Sequence, residues 1–566
     1  MTDKPTDGGK KGFPWLLLLV LAGTAALYWC LLYTAPWPDI RPPAGPVEAP
    51  DPYTPASFRE YGYDPTARLG QVEGPGGYEP LEDRVVRFAV CSRAEWAPLL
   101  LFNQGLGPGR VWPAGDGGGF QVEVVVMDDP AAMRQALARG QIHIGWASAD
   151  MLPLMIEGLG PDPLARPRVF QAVGSSDGGD GLVFRRAFAR DPEHPEPADL
   201  RGRRAVLTQN SPSLYYLAAA LLEAGIQPAE VELVYTQTPA QAVEAFESDR
   251  SLAAIAGWAP EIYRLAAEEG NLMLILDEAA TPAFFVWLAR ADFARDHPEV
   301  VEGLVRGIIT GAETLKAGQA EDEAAGLMSE AFGLPPDVCR ALLPRAKPAG
   351  AEENQRFLLD RNNPVGLAAV MHSAGLLYQR LGLVSRTPAF DEVLDFGPLK
   401  KVLSAGPAET GDRSPARHLR TIEGEGGELP AWSYVIHFAP NSADPREKVR
   451  VTAGGKETET LYDPAVEETL AELARRIAAR PGSTLLLEGY VDAGRRGLVP
   501  APAARRLSVS RAKAVRQALL GLDKNLDPGR FIIKGCGWDR PAEPWDPGNR
   551  MKNRRVEAVF LPGPSE

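Results

Sequence analysis

The chain has few of the residues that build disulfide frameworks or metal centres, with four cysteines and six histidines among 566 residues. The cysteines lie in four separate segments, which excludes a disulfide framework. The histidines show no metal-ligand spacing, and the sequence contains neither an HExxH motif nor a CxxC pair. It also lacks the GxxxxGK[ST] loop that binds nucleotide phosphates. These absences give no support for an enzyme, and they predict neither a cofactor nor a metal.

Positive charge is also in the minority. The chain has 60 Lys and Arg against 74 Asp and Glu, a formal net charge of −14. A nucleic-acid-binding surface needs a net basic footprint, so this balance excludes nucleic acid as a partner. Hydrophobic residues make up 45% of the chain, which excludes wholesale disorder.

One long apolar run lies near the N-terminus. Phe13–Tyr33 is apolar for 21 residues, long enough to cross a hydrocarbon core of about 30 Å as a helix. Lys4, Lys10 and Lys11 precede it, so the positive-inside rule places the short N-terminus in the cytoplasm. A cleaved signal peptide is the alternative, with 24–26 as its cleavage site. Because the apolar run continues past that site, we expect an uncleaved inner-membrane anchor with the bulk of the chain in the periplasm.

The remainder divides by composition. Residues 35–80 contain eleven prolines and predict a semi-extended stalk. Strand-like and helical segments then alternate, which indicates βαβ units and a mainly parallel sheet. The predicted fold class is therefore α/β. Its expected parts are a cytoplasmic tail (1–12), a transmembrane anchor (13–34), the stalk (35–80), a large α/β domain (81–402), a linker (403–430) and a smaller α+β domain (431–566).

Five motifs follow one another in the last of these parts. They are FAPNSA (438–443), LLLEGYVDAG (485–494), LSVSRAKAV (507–515), KGCGWDRP (534–541) and NRRVE (553–557). In this order and spacing, they resemble the OmpA-like peptidoglycan-binding domain. In that family an Asp accepts the ammonium of a meso-diaminopimelate residue, and an Arg takes its carboxylate as a charge-assisted pair.

By motif position the resemblance implies that Asp492 and Arg511 form this site and that Arg554 helps to line the groove. The sequence departs from the family at Tyr490-Val491, where His-Thr is usual, and at Ala504, where Asn is usual. These departures could weaken or retune wall binding, and a degenerate, purely structural copy is the alternative.

Four segments of the larger domain carry a second resemblance. They are GQIHIGWASADMLP (140–153), SSDGGDGLVF (175–184), DLRGRRAVLTQNSPSLYYL (199–217) and IAGWAPEI (255–262). Together they resemble periplasmic solute-binding proteins of the nitrate/sulfonate/taurine and thiamine-precursor kind. The resemblance implies two α/β lobes that close on a ligand held at strand ends and helix N-termini.

Candidate ligand contacts are the polar and aromatic residues that follow or open predicted strands and helices in these segments. They are Trp96, Ser148, Asp150, Asp180, Ser211, Ser213, Trp258 and Glu261. A serine near a helix N-terminus favours an anionic ligand group, and aromatic rings can close over a ligand. Each residue could instead cap a helix, shape a turn or pack the lobes. Acidic candidates beside a helix N-terminus predict a ligand with both an amine and an anionic group.

Three functions fit this organisation. The first is an anchored envelope protein that captures a small solute, with an ABC permease as an expected partner, and binds peptidoglycan. The second is a structural membrane-to-wall tether or sensor scaffold whose α/β domain has lost ligand binding or binds a protein. The third is a flagellar-stator-like ion-channel subunit, but the apolar span lacks the Asp that such a channel needs.

Overall fold

The computed structural model describes residues 46–49, 77–159, 166–192, 194–275, 283–359, 363, 365–388, 393–403, 416–424, 427–453, 456–480, 482–542 and 547–561. The predicted anchor and cytoplasmic tail, and most of the stalk, lie outside these ranges. Within them no helix combines the length and the hydropathy that a bilayer span requires.

The strands are β1 (Val85–Val90), β2 (Trp112–Pro113), β3 (Gly119–Val126), β4 (Ile144–Ser148), β5 (Pro167–Ser176), β6 (Asp180–Arg185), β7 (Arg204–Thr208), β8 (Glu232–Thr236), β9 (Leu252–Trp258), β10 (Asn271–Ile275), β11 (Phe284–Arg290), β12 (Ala346–Pro348), β13 (Ala416–Gly424), β14 (Gly427–His437), β15 (Lys448–Ala453), β16 (Lys456–Leu461), β17 (Thr484–Gly489), β18 (Phe531–Gly535) and β19 (Arg555–Leu561). The helices are α1 (Ala97–Asn103), α2 (Pro130–Ala138), α3 (Leu152–Leu159), α4 (Pro212–Glu223), α5 (Pro239–Ser248), α6 (Glu261–Ala266), α7 (Ala291–Asp296), α8 (Pro298–Lys316), α9 (Glu321–Phe332), α10 (Pro336–Leu342), α11 (Ala351–Asn354), α12 (Leu367–Arg380), α13 (Gly397–Leu403), α14 (Val466–Ala479), α15 (Ala501–Leu522) and α16 (Arg550–Asn553).

Several helices begin at local capping signals. The Asp129 carboxylate accepts a hydrogen bond of 2.8 Å from the backbone N–H of Ala131 at the start of α2. Thr238 and Gln241 form a capping box at the start of α5, with reciprocal bonds of 3.3 Å. Helix α4 opens with Pro212, whose fixed φ and missing N–H suit the first helical position.

The α/β part consists of two lobes, each built on its own mixed sheet. The first lobe has the strand order β12-β5-β11-β4-β1-β3-β2, and the second has β10-β6-β9-β7-β8. Strand β1 pairs in parallel with β3 and β4, and β7 pairs in parallel with β8 and β9. Open α/β sheets bind ligands at the carboxyl ends of such parallel strands. Here Ser148 ends β4, Trp258 ends β9, and Ser211 and Ser213 follow β7.

The sheets are less parallel than the sequence predicts. Strands β5, β6, β10 and β11 run antiparallel to their neighbours. The reason lies in the chain path: β5 leaves the first sheet and continues after three residues as β6 of the second sheet. A strand that enters a sheet from the other lobe takes its direction from that crossing and not from a βαβ unit.

The C-terminal unit contains a five-stranded sheet in the order β13-β14-β19-β17-β18 and a separate hairpin of β15 and β16. Only β17 and β18 are parallel in the five-stranded sheet. Helices α14 and α15 contact each other, and α15 also packs along β17 and β18. The unit therefore combines a mainly antiparallel sheet with packed helices.

The predicted linker at 403–430 is too long. Residues 416–424 form β13, the edge strand of the C-terminal sheet, paired with β14. The strand forms because Leu419 and Ile422 become buried, while Arg420 lies between the carboxylates of Glu488 and Glu557. Charged residues of this stretch therefore belong to buried ion pairs. Composition alone does not distinguish such residues from those of a solvated loop.

The second lobe and the C-terminal unit share apolar contacts. Buried side chains of α4, α12, β13 and β14 belong to one continuous cluster. The indole Nε1 of Trp432 donates to the carbonyl of Ala219 at 3.3 Å. The carboxylate of Glu223 accepts a hydrogen bond of 3.2 Å from Arg417 and is paired with Arg476. Helix α4 therefore connects the lobe directly to the C-terminal unit.

Candidate functional site

An arginine that follows β1 joins the two lobes. The guanidinium of Arg93 makes a two-point ion pair with Asp180, with Nη1 to Oδ1 at 3.1 Å and Nη2 to Oδ2 at 2.8 Å. Asp180 begins β6 in the second lobe and is the register partner of Trp258 at the end of β9. The pair therefore lies at the facing strand ends of both sheets.

The positive charge of Arg93 has further partners besides Asp180. Its Nε and Nη2 also donate to the two carboxylate oxygens of Glu95, at 3.3 and 3.0 Å. Its guanidinium lies over the rings of Phe285 and Trp258, with distances of 4.6 and 5.6 Å to the centroids. Burial opposes the charge, but Asp180 and Glu95 outweigh burial and raise the pKa of Arg93.

A further carboxyl group, that of Asp150, lies just after β4. It is 2% exposed, and the Tyr378 hydroxyl donates to its Oδ2 at 3.2 Å. Burial raises the pKa of Asp150 to about 7, although the hydrogen bond from Tyr378 opposes this increase. Burial also raises the pKa of Tyr216, and the charges of Asp180 and Asp150 add to this shift. The site thus contains one cation and three acidic groups.

The three predicted serines are all buried at strand or helix ends. Ser148 ends β4 beside Asp150. The Ser211 hydroxyl donates to the carbonyl of Thr208 at 2.6 Å, so it closes the turn before α4 and does not cap the helix. The Ser213 hydroxyl, in the first turn of α4, has no hydrogen-bond partner among the described residues. The Ser148 hydroxyl has none either, so both serines are placed to donate to a ligand.

Two predicted contacts lie elsewhere. Trp96 is fully buried in the core of the first lobe, where its ring packs against those of Trp287 and Phe285. Glu261 lies on the outer face of α6, with its side chain 44% exposed, and pairs with Arg264 at 3.2 Å. Both follow a strand in the sequence as predicted, but the turn after the strand directs their side chains away from the facing strand ends.

The structure also brings together three residues that are not among the sequence-predicted contacts, namely Arg93, Tyr216 and Tyr378. Arg93 had a usable signal, because it is a basic residue three positions after the end of a mostly apolar strand. Tyr378 had none, since it reaches Asp150 from α12, 228 residues along the chain.

One stretch, Gly174-Ser175-Ser176-Asp177-Gly178, matches the letters of the GxSxG nucleophile elbow. That motif requires a strand-to-helix turn with an exposed serine hydroxyl. Here Ser176 is the buried last residue of β5, and the chain continues into β6. The stretch is a crossing between the lobes and not an elbow.

A second polar pocket lies in the C-terminal unit and contains Asp492, Arg511 and Arg554, each fully buried. The Asp492 carboxylate accepts from Arg554 Nη1 at 3.2 Å and from the backbone N–H of Gly494 at 2.8 Å. Arg554 also donates to the Tyr462 hydroxyl at 2.8 Å. The three residues that the resemblance implied therefore surround one pocket.

The pocket has an occupant from the same chain. The carboxylate of Glu48, in the predicted stalk, forms a two-point ion pair with Arg511 at 2.7 and 2.6 Å. Burial raises the pKa of Asp492, and the neighbouring charge of Glu48 adds to the increase. The prediction that this part of the stalk is only a spacer is therefore wrong for residues 46–49.

The side chains of Tyr490 and Ala504, two of the departures from the expected motif, have their contacts outside this pocket. The Tyr490 hydroxyl donates to Glu488 at 3.0 Å, within the buried network that also contains Arg420 and Glu557. Ala504 is buried in α15 against the turn at Gly537. Both positions thus support the fold of the C-terminal unit.

Comparison with known proteins gives two sequence matches. Residues 116–327 match the sequence model of the phosphonate periplasmic substrate-binding protein of an ABC transporter. The taurine-binding periplasmic protein of Escherichia coli (strain K12) is 29% identical over 194 residues, which are 34% of this chain and 56% of that relative. The chain thus spans about half the length of this curated relative. Both matches are to periplasmic proteins that bind a small solute.

Solved structures similar to the chain include the alkanesulfonate-binding protein SsuA of Xanthomonas axonopodis pv. citri bound to MOPS. It has 19% identity and a TM-score of 0.42, and the match covers 56% of this chain and 98% of that one. The desulfurization enzyme DSZB is also similar, with 18% identity, a TM-score of 0.37, and coverage of 56% and 99%.

Proposed function

We propose that the two lobes bind a small solute that carries both an amine and an anionic group, of which an aminosulfonate such as taurine is the type. The observation that carries this proposal is the convergence of Arg93, Asp180 and Asp150 at the facing strand ends of the lobes. The similarity to a taurine-binding protein supports the same ligand class.

The charges of the site favour the amine. Arg93 is already paired with two carboxylates, so Asp150 is the acidic group without a cationic partner in this set. An ammonium beside Asp150 would favour its ionised form and offset the burial that now raises its pKa. The anionic end of the ligand would accept hydrogen bonds from the Ser213 hydroxyl and from backbone N–H groups in the first turn of α4.

Thermal shift of the full chain in detergent tests this assignment with three matched compounds: taurine, ethanesulfonate and ethylamine. We expect taurine to raise the unfolding midpoint and the two half-ligands to have little effect, because each satisfies one end of the site only. Asp150→Asn should abolish the taurine shift, while Glu123→Gln, at an exposed carboxylate on β3, should keep it. Equal shifts by taurine and ethanesulfonate would exclude the amine contact.

We propose further that the C-terminal unit binds peptidoglycan and that the N-terminal apolar run anchors the chain in the inner membrane. The buried pocket of Asp492, Arg511 and Arg554 supports wall binding, since it holds a carboxylate receptor beside an acidic group. An ABC permease is the partner that the substrate-binding relatives suggest, and the protein would act without catalysis.

Sedimentation of the full chain with purified sacculi tests wall binding. Arg511→Lys retains the charge but loses the two-point geometry, so we expect pull-down to fall strongly. Arg506→Ala is the matched control, because Arg506 is an exposed arginine of the same helix. Equal pull-down by the wild type and by both variants would place wall binding elsewhere or exclude it.

A sensor scaffold is the second candidate function, and the contact between α4 and the C-terminal unit favours it. Ser213 lies at the start of α4, and Ala219 and Glu223 near its end touch Trp432 and Arg417. Ligand binding at the lobes could thus reach the unit that we propose to bind the wall. A change in sacculus affinity on adding taurine would support the sensor; unchanged affinity would favour delivery to a permease.

A further inference from the structure

Glu48 is completely buried in the C-terminal pocket, and its carboxylate accepts four hydrogen bonds there. Arg511 donates from Nη1 to Oε1 at 2.7 Å and from Nη2 to Oε2 at 2.6 Å. The backbone N–H groups of Asn441 and Asp492 donate at 2.8 and 3.2 Å. Four donors that converge on one carboxylate form an anion receptor.

The remaining donors of Arg511 are fixed by the fold. Its Nε donates to the carbonyl of Ser442 at 2.8 Å, Nη1 to that of Tyr490 at 2.9 Å, and Nη2 to that of Ala439 at 3.0 Å. Three of its five N–H groups thus hold the guanidinium in place, and the other two point at Glu48. The guanidinium of Arg511 is therefore held in a fixed position in the pocket.

The pocket also binds the main chain of the occupant. The Asn441 side chain accepts from the Glu48 N–H at 2.8 Å and donates to the Glu48 carbonyl at 3.0 Å. Arg495 Nη1 donates to the carbonyl of Pro46 at 2.9 Å. Residues 46–49 are thus held as a bound peptide, through the side chain of Glu48 and through backbone atoms of Pro46 and Glu48.

We propose that residues 46–49 are an internal, displaceable occupant of this pocket and that they inhibit wall binding until they are released. The inference rests on the proposed wall binding of the pocket. Glu48 supplies a carboxylate but no ammonium, and Asp492 pairs with Arg554 instead. A wall peptide that carries both groups would gain a contact with Asp492 that Glu48 cannot make, so it can replace the occupant.

Covalent linkage makes Glu48 an effective competitor. A tethered group can reach an effective concentration in the millimolar range, so even a weak occupant lowers the apparent affinity of an external ligand. Removing the Glu48 charge should therefore raise the affinity of the full chain for sacculi about 10-fold or more. This sign is the opposite of that expected for a residue that itself binds the wall.

The experiment compares sacculus binding of the full chain in detergent for the wild type, Glu48→Gln and Glu48→Ala. Glu48→Gln keeps the size of the side chain, so it limits the cost of leaving Arg511 without an anion. Glu82→Gln removes one exposed carboxylate near the same end of the described chain and is the matched control. Amide hydrogen exchange at Asn441 and Asp492 reports occupancy independently, because Glu48 protects both N–H groups.

We expect faster exchange at both amides and tighter sacculus binding for the two Glu48 variants, with Glu82→Gln unchanged. Glu48 variants that bind sacculi no more tightly than a wild type that does bind would overturn the inhibition and leave wall binding intact. If neither the wild type nor the Glu48 variants sediment with sacculi, although the amides have become exposed, wall binding itself is overturned, and the inhibition with it.

Discussion

The guanidinium of Arg93 in the first lobe and the carboxylate of Asp180 in the second lobe face each other in a two-point ion pair of 3.1 and 2.8 Å. Both side chains are almost completely buried. Because each belongs to a different sheet, the pair acts as a clasp between the lobes at the strand ends that face each other. A ligand that enters there must bind beside this pair or replace part of it.

Breaking the clasp should destabilise the chain. Asp180→Asn removes one charge of a buried pair, and such losses cost about 3–5 kcal/mol. Arg93 still keeps Glu95 as an ion-pair partner in this variant. We expect the midpoint of thermal unfolding to fall by roughly 5 °C or more. Asp177→Asn is the control, since the Asp177–Lys347 pair is partly exposed and should contribute less than about 1 kcal/mol. Equal midpoints for the two variants would argue against the clasp.

The buried carboxyl of Asp150 should make stability depend on pH. The folded chain keeps this proton up to about pH 7, whereas the unfolded chain releases it near 3.8. The free energy of unfolding should therefore fall as the pH rises from 4 to 7, by about 1.4 kcal/mol per pH unit for this group. Asp150→Asn removes this group's contribution to the pH dependence. The free energy of unfolding of the variant should therefore rise relative to that of the wild type as the pH increases from 4 to 7, as measured by denaturant unfolding at several pH values. Parallel pH profiles for the two proteins would contradict the assignment.

The sequence predicted the candidate ligand site only in part, because it indicates which residues follow a strand but not where their side chains point. Ser148, Asp150, Asp180 and Trp258 do lie where the strand ends face each other, because the position of a residue after a strand determines its place in such a sheet. Trp96 has the same sequence signal but points into the core. The direction of a side chain depends on the turn that follows the strand, and composition does not encode it.

The pocket of the C-terminal unit shows the other limit. Its members Asp492 and Arg511 were predictable from motif positions. Glu48 was not, because a Pro-rich segment predicts a spacer and its partner Arg511 lies 463 residues away. Long-range contacts of this kind depend on the shape of the assembled pocket, which no local pattern contains.

A close approach of α15 to β17 predicts that Gly489 cannot be replaced. A Cβ at Gly489 would overlap the backbone carbonyl of Ser508, which cannot move without shifting the helix. We expect Gly489→Ala to lower the free energy of unfolding by about 1–3 kcal/mol and to reduce pull-down by sacculi. Gly521→Ala, in α15, is the control. Nothing lies within 4 Å of a Cβ at Gly521, and the helical propensity of Ala should stabilise the chain by up to about 1 kcal/mol. A tolerated Gly489→Ala would refute this packing.

The contact between α4 and the C-terminal unit predicts coupled unfolding. Trp432 is buried and donates to the Ala219 carbonyl, so Trp432→Ala should remove both apolar contact and the hydrogen bond, at a cost of about 3–5 kcal/mol. Loss of this contact should let the second lobe and the C-terminal unit unfold separately, as two transitions in calorimetry where the wild type shows a merged one. Leu522→Ala, at an exposed apolar residue of the same unit, should leave the profile unchanged. A Trp432→Ala profile that keeps the wild-type shape, merely shifted to lower temperature, would show that the two units do not depend on this contact for their coupling.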